Sequence, residues 1–286
     1  MIPAQFDYVA PTTLAEAVTA LGAAGEDAKV LAGVQSLIPV LRLRLAFPTV
    51  LIDLSKVSEL RGVCEDGDAL VIGAMTKHAD VMEDPLVRQY AALLAEATST
   101  VADPAVRHRG TFGGALAHAD PAGDLAAVAL ALDAELVAEG PGGRRTIAAK
   151  DFFQDYLETA LSPDEILAAV RIPKLTGDWG VRYEKFNRVA QAWAIVGVAA
   201  AVRMEGGAIA EARIGLTNMG STPVRPHSVE AALVGATTRE QVVVASGSAA
   251  DGTNPPSDLG AKADYRQHLA RVLTARAVVK AAGISS

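Results

Sequence analysis

The sequence predicts an α+β protein of two domains, and three observations carry that expectation. The first half alternates helical and strand patterns around glycine turns. After residue 175 the pattern changes to three long strands that read as an antiparallel meander, followed by helices. Between the two, residues 174–180 are polar and contain glycine, which places a domain boundary near residue 175. At 286 residues the chain is long enough for one large domain or two of ordinary size.

Each element has a local reason. Thr12 or Thr13 caps a helix running to about Leu21, with Glu16 placed as the capping-box partner of Thr13. Gly22 and Gly25 stop it. Residues 29–32 form a short apolar strand ending in a glycine turn, residues 37–43 look helical, and residues 50–53 form another strand. Residues 60–64 and 69–73 flank an Asp66-Gly67 step, a strong hairpin signal. Thr76 caps a short helix, and residues 85–97 give a longer one. Residues 103–114 are turn-rich and without useful periodicity. Asp120 before Pro121 reads as the N-cap of an apolar core helix over residues 121–132. Residues 134–138, 145–147 and 166–172 read as strands, the last closed by Pro173. In the second domain the strands are 181–186, 192–204 and 209–216, the last two joined by Glu205-Gly-Gly207. Residues 228–233, 239–247 and 265–282 read as helices, and 251–261 as a loop.

Composition excludes several functions. With 26 basic and 33 acidic residues the net charge is −7, against a general nucleic-acid or anionic-membrane partner. Cys64 is the only cysteine, so the chain has no internal disulfide, no cysteine-ligated iron–sulfur cluster and no Cys₂ zinc site. Its strand position reads as a buried, inert thiol. A reducing, cytoplasmic setting is expected. There is no basic region followed by an apolar one at the start, so no signal peptide is expected. The most apolar stretches fall short of the roughly 18 residues of a membrane span. His118, Asp120 and Asp124 invite a metal reading, but the five histidines form no H-E-x-x-H or comparable ligand pair, and no metal site is expected. No G-x-S-x-G elbow occurs, and no catalytic residue is assigned.

Two segments carry candidate chemistry. Leu31-Ala-Gly-Val-Gln-Ser-Leu-Ile-Pro39 is a strand that ends in a glycine turn and opens a helix. Such a turn presents backbone N–H groups that suit a phosphate or pyrophosphate. An ordinary strand-to-helix turn is the competing reading, and neither a Rossmann fingerprint nor a P-loop is present. The second segment runs from Arg109 to Asp124. There Gly113-Gly114 lets a ligand approach the backbone, Thr111 adds a hydroxyl, and Asp124 can accept a ligand's hydrogen bond.

Together these segments resemble the FAD-binding medium subunit of the molybdenum hydroxylases, of the carbon monoxide dehydrogenase medium-chain type. The family pattern A-G-G-Q-S-L-I-P stands here as Ala32-Gly-Val-Gln-Ser-Leu-Ile-Pro39. R-x-R-G-T-I-G-G-N-L-A-H-A-D-P-A-x-D stands as Arg107-His-Arg-Gly-Thr-Phe-Gly-Gly-Ala-Leu-Ala-His-Ala-Asp-Pro-Ala-Gly-Asp124. Phe6-Asp-Tyr8, Tyr183-Glu-Lys-Phe186 and Asp264-Tyr-Arg-Gln-His-Leu-Ala270 are further points of similarity, in the same order.

The resemblance implies an FAD-binding domain over residues 1–174, with subdomains of about 1–55 and 56–174, and a C-terminal domain over 175–286 with a three-stranded antiparallel sheet and helices. It implies that Ala32, Gly33, Val34, Gln35 and Ser36 wrap the FAD pyrophosphate, with Lys29, Leu31 and Leu37 beside them. Thr111, Gly113, Gly114 and Ala115 would form a second phosphate-binding turn. Asp124 would hydrogen-bond the cofactor, Lys185 would lie near the flavin ring, and Val101, Leu167 and Trp193 would pack against it. It further implies a heterotrimer, paired into a dimer of heterotrimers. In it a large subunit holds the molybdenum cofactor, and a small subunit relays electrons through [2Fe–2S] clusters. This chain would pass them to an external acceptor. Val34 stands where the pattern has a second glycine, and Ala115 where it has asparagine. Val34 would cost about 1–3 kcal/mol if the turn needs positive φ. These departures favour an alternative, a structural or assembly subunit that holds FAD weakly or not at all.

Overall fold

Thr13 begins the first helix. Its side chain accepts from the Glu16 N–H, and the Glu16 carboxylate accepts from the Thr13 N–H, closing a capping box on Leu14–Ala24. This helix lays Leu14, Ala17, Val18 and Leu21 on a parallel three-stranded sheet ordered Asp7–Val9, Val50–Asp53, Ala28–Leu31. In the computed structural model, which describes residues 2–284, this unit packs through Met75, Ile166 and Ala168 onto a second sheet. That sheet is antiparallel throughout, ordered Val63–Asp66, Ala69–Gly73, Ile166–Pro173, Glu135–Gly140, Gly143–Ala148.

The third sheet is the expected meander of Trp179–Phe186, Val196–Glu205 and Ala208–Thr217. Its central strand alternates between two cores. Ala199 and Ala201 join the core of the second sheet and its helices, whereas Val198, Ala200 and Val202 pack under Ala263–Ala281 and its neighbours. A strand buried on both faces explains the unbroken apolar run of the sequence.

Several expectations need correction. Gly22 lies inside the first helix, and Gly25 alone ends it, with φ 77°. The stretch 85–97 is two helices, Pro85–Tyr90 and Ala92–Ser99, broken at Ala91. Thr76 caps nothing; its buried hydroxyl bonds both the N–H and the C=O of Gly62. The helix after Pro121 starts only at Asp124, with Gly123 as its N-cap, and Asp120 instead accepts from the Ala122 N–H. The turn-rich segment holds two short helices, Pro104–Arg107 capped by Asp103 and Phe112–His118 capped by Thr111. Cys64 is exposed, because its strand Val63–Asp66 forms an edge of the second sheet. Met1 and residues 285–286, which the expected domain limits include, lie outside the described residues. Among the described residues no helix is long and apolar enough to cross a membrane, and no group of three acidic, histidine or cysteine side chains is placed to hold a metal ion.

Candidate flavin site

The two glycine segments meet backbone to backbone. A Cβ on Gly33 would lie 2.6 Å from Gly110 Cα, and 2.7 Å from both the Arg109 oxygen and the Thr111 nitrogen. Only a residue without a side chain permits this contact. One step away, a Cβ on Gly114 would lie 3.3 Å from the Ala32 Cβ. The first sheet thus delivers its loop directly against the start of Phe112–His118.

The two segments differ in how their backbone donors are used. Phe112 donates to Thr76, Gly113 to Ala74, Gly114 to the Thr111 side chain and Ala115 to the Thr111 carbonyl. The second segment satisfies itself. In the first, no described residue accepts from the N–H groups of Gly33, Val34, Gln35 or Ser36. Four neighbouring donors without partners, at a half-exposed loop that leads into Leu37–Arg42, form an anion cradle. Val34 lies at φ 62°, so the position does require positive φ and the β-branched residue is strained there.

Gly113 has a different task from the one a ligand would give it. A Cβ there would lie 2.4 Å from the Ala74 Cβ and 2.7 Å from its Cα, so its bareness serves packing in the core. Behind Gly110 sits His78, whose N–H donates to the Gly110 oxygen at 2.9 Å. Its ring is buried, and Nδ1 has no partner among the described residues. Burial, reinforced by the Arg107 charge, lowers its pKa from 6.5 to about 4.

Asp124 opens the helix Asp124–Ala131 and faces the strand Trp179–Phe186. Lys185 donates to its Oδ2 at 2.8 Å and to the Thr100 carbonyl at 3.1 Å. Tyr183 donates to Asp124 Oδ1 at 2.7 Å. Burial pushes the Asp124 carboxyl up, although Lys185 and Tyr183 pull it down. Burial and the Asp124 charge push the Tyr183 phenol well above its usual range. Breaking such a buried ion pair by removing one partner typically costs 3–5 kcal/mol.

The remaining expected residues are distributed as follows. Val101 follows Thr100 and packs on the core that contains Leu167, which is buried at a bulge in Ile166–Pro173. Trp193 is 54% exposed, with its ring edge 3.9 Å from the Cβ position of Gly123, over the start of the Asp124 helix. Leu31 and Leu37 are half-buried on either side of the free N–H groups. Lys29 is exposed and makes no ion pair among the described residues, and Ala115 is exposed. Tyr183 was not foreseen as a site residue. The available signal was its spacing, since residues two apart on a strand share a face and Lys185 was already a candidate.

The residues fit FAD. Free N–H groups suit its pyrophosphate, and a buried cation suits the ring, whose reduced form carries more negative charge. Two family models divide the chain. Residues 4–175 match the FAD binding domain in molybdopterin dehydrogenase, and residues 181–281 match the CO dehydrogenase flavoprotein C-terminal domain.

The chain belongs to the flavoprotein family of the molybdopterin dehydrogenases.

Relatives of this family resemble it over nearly their full length. The carbon monoxide dehydrogenase medium chain of Hydrogenophaga pseudoflava is 42% identical over 279 residues, covering 97% of each chain. A structure of carbon monoxide dehydrogenase from the same organism superposes with a TM-score of 0.96 at 44% identity, over 98% of each chain. Quinoline 2-oxidoreductase from Pseudomonas putida 86 superposes with a TM-score of 0.94 at 34% identity, over 99% of each chain. The flavoprotein is therefore the FAD-binding medium subunit of an oxidoreductase, and the molybdenum and iron–sulfur cofactors of such complexes belong to other subunits.

Proposed function

We propose that this flavoprotein takes electrons from [2Fe–2S] clusters on a small partner subunit and passes them through FAD to an external acceptor. A large partner subunit with the molybdenum cofactor would oxidise the substrate, in a cytoplasmic dimer of heterotrimers. The bound FAD would supply the redox chemistry, accepting and releasing electrons. The observation that carries this reading is the row of free N–H groups over Gly33–Ser36, braced against Gly110 and Thr111.

In this reading Ala32–Ser36 hold the pyrophosphate through their backbone, with Lys29, Leu31 and Leu37 flanking it. Thr111, Gly113, Gly114 and Ala115 brace that loop more than they bind, since their N–H groups are already used. Lys185 keeps a positive charge beside the ring, Asp124 orients that ammonium, and Val101, Leu167 and Trp193 exclude water from the ring. The FAD-binding domain would span residues 1–174 and the C-terminal domain 175–286.

The test is the flavin content and visible spectrum of the chain purified with its co-expressed partner subunits. One FAD per chain, bleached when the complex is given a reducing substrate, is the expected result. A strained Val34 favours a second reading, a subunit that assembles the complex but holds FAD weakly. A colourless complex that still oxidises substrate with an artificial acceptor would select it.

A further inference from the structure

Tyr183 has no part in the reading above, yet the fold makes special room for it. Its ring is buried in the core, a task phenylalanine would fill as well. Its hydroxyl is another matter. A Cβ on Gly197 would lie 2.4 Å from Tyr183 Oη and 3.1 Å from Cζ. Gly197 sits within Val196–Glu205, where glycine is otherwise unfavourable, and it pairs with Lys185 across the ladder. The Thr217 Cβ lies 3.1 Å from the same position, but the Tyr183 hydroxyl makes the closest approach, so a glycine here accommodates that oxygen first.

That oxygen is the middle link of a directed chain of hydrogen bonds. The single hydroxyl proton of Tyr183 goes to Asp124 Oδ1, at 2.7 Å. Thr217 Oγ1, at 3.4 Å, must then be the donor toward Tyr183. On its other oxygen Asp124 receives Lys185. A carboxylate only 4% exposed depends on its donors to remain ionised, because burial disfavours the charge. While ionised, it cancels much of the Lys185 charge. Protonated, it would leave the ammonium to act on the flavin at full strength.

We propose that Tyr183 is a positioning residue that sets the reduction potential of the flavin, by holding Asp124 ionised and aimed at Lys185 so that the pair presents little net charge to the ring. The inference rests on the reading that the flavin ring lies beside Lys185. Without the Tyr183 hydroxyl, Asp124 takes up a proton more readily, and the uncancelled ammonium favours the more negative, reduced form.

The experiment measures the flavin midpoint potential in the purified multi-subunit complex. Lys185→Met should lower it and Asp124→Asn should raise it. Tyr183→Phe should raise it in the same direction by a smaller shift. An unchanged potential in Tyr183→Phe, alongside a raised one in Asp124→Asn, overturns the inference and leaves the placement of FAD standing. No shift in either Asp124→Asn or Lys185→Met overturns the placement itself. An infrared spectrum of the chain covers any variant that retains no flavin. Tyr183→Phe should gain a protonated-carboxyl C=O band that is absent from the parent and from the double variant Tyr183→Phe/Asp124→Asn. Failure of that band to appear overturns the inference as well.

Discussion

The two glycine segments look alike in sequence and do opposite things. Among the described residues, the four N–H groups of residues 33–36 find no partners, while residues 112–115 spend all of theirs inside the chain. The first loop leaves its donors open, and the second is the wall that braces it. Glycine serves both, by different means. Gly33 lets two backbones touch at the surface of the site, whereas Gly113 lets a helix settle on Ala74 in the core. A glycine pair in a sequence therefore announces a close approach and does not say whether a ligand or the protein fills the space.

Substitutions can break this contrast. Gly113→Val should do the most damage, costing the fold roughly 3 kcal/mol or more, since its side chain would enter the space of Ala74. Gly33→Ala should cost about 1–3 kcal/mol but empty the site, because its Cβ drives the two segments apart. Thermal unfolding and flavin content, read on both variants, separate the outcomes. A Gly113→Val protein of full stability that lacks flavin would make the second segment a ligand surface after all.

Acid should act on the wall before it acts on the cradle. Unfolded, His78 takes a proton near pH 6.5; folded, it stays neutral down to about pH 4. Its contribution is thus complete above pH 6.5 and is lost as pH falls toward 4, by up to about 3 kcal/mol. Urea unfolding between pH 7.5 and 4.5 should show this loss, and His78→Phe should flatten it. The smallest effect belongs to the cradle. Val34→Gly relieves a β-branched residue at φ 62° and should stabilise the protein by about 1 kcal/mol, after the greater freedom of glycine in the unfolded chain is offset. A variant no more stable than its parent would show that the turn holds valine without strain.

Much of this was legible in the residues. The capping box of Thr13 and Glu16, the turn at Asp66-Gly67 and the meander after residue 175 all depend on near neighbours. The strand–glycine–helix pattern likewise pointed to free N–H groups after Leu31. What escaped depends on distant partners. Tyr183 reaches Asp124 across 59 positions, and apart from its two-residue spacing from Lys185 nothing local distinguishes it from an ordinary core tyrosine. The start of the Asp124 helix is masked by Asp120-Pro121, a strong capping signal that the chain uses for a turn. The exposure of Cys64 is hidden from the sequence because a strand pattern does not reveal a sheet edge.

The contact of Gly33 with Gly110 joins the parallel sheet to the helices of the second one. A ligand held by the first segment, which the second braces, is linked thermodynamically to that contact wherever its binding requires the contact to be intact. At a hundred times its dissociation constant such a ligand would add about 2.7 kcal/mol to the arrangement with the contact intact. Retention of the cofactor and persistence of that contact would then be a single linked equilibrium. Anything that grips the outer surface of both units would slow loss of the cofactor without ever touching it.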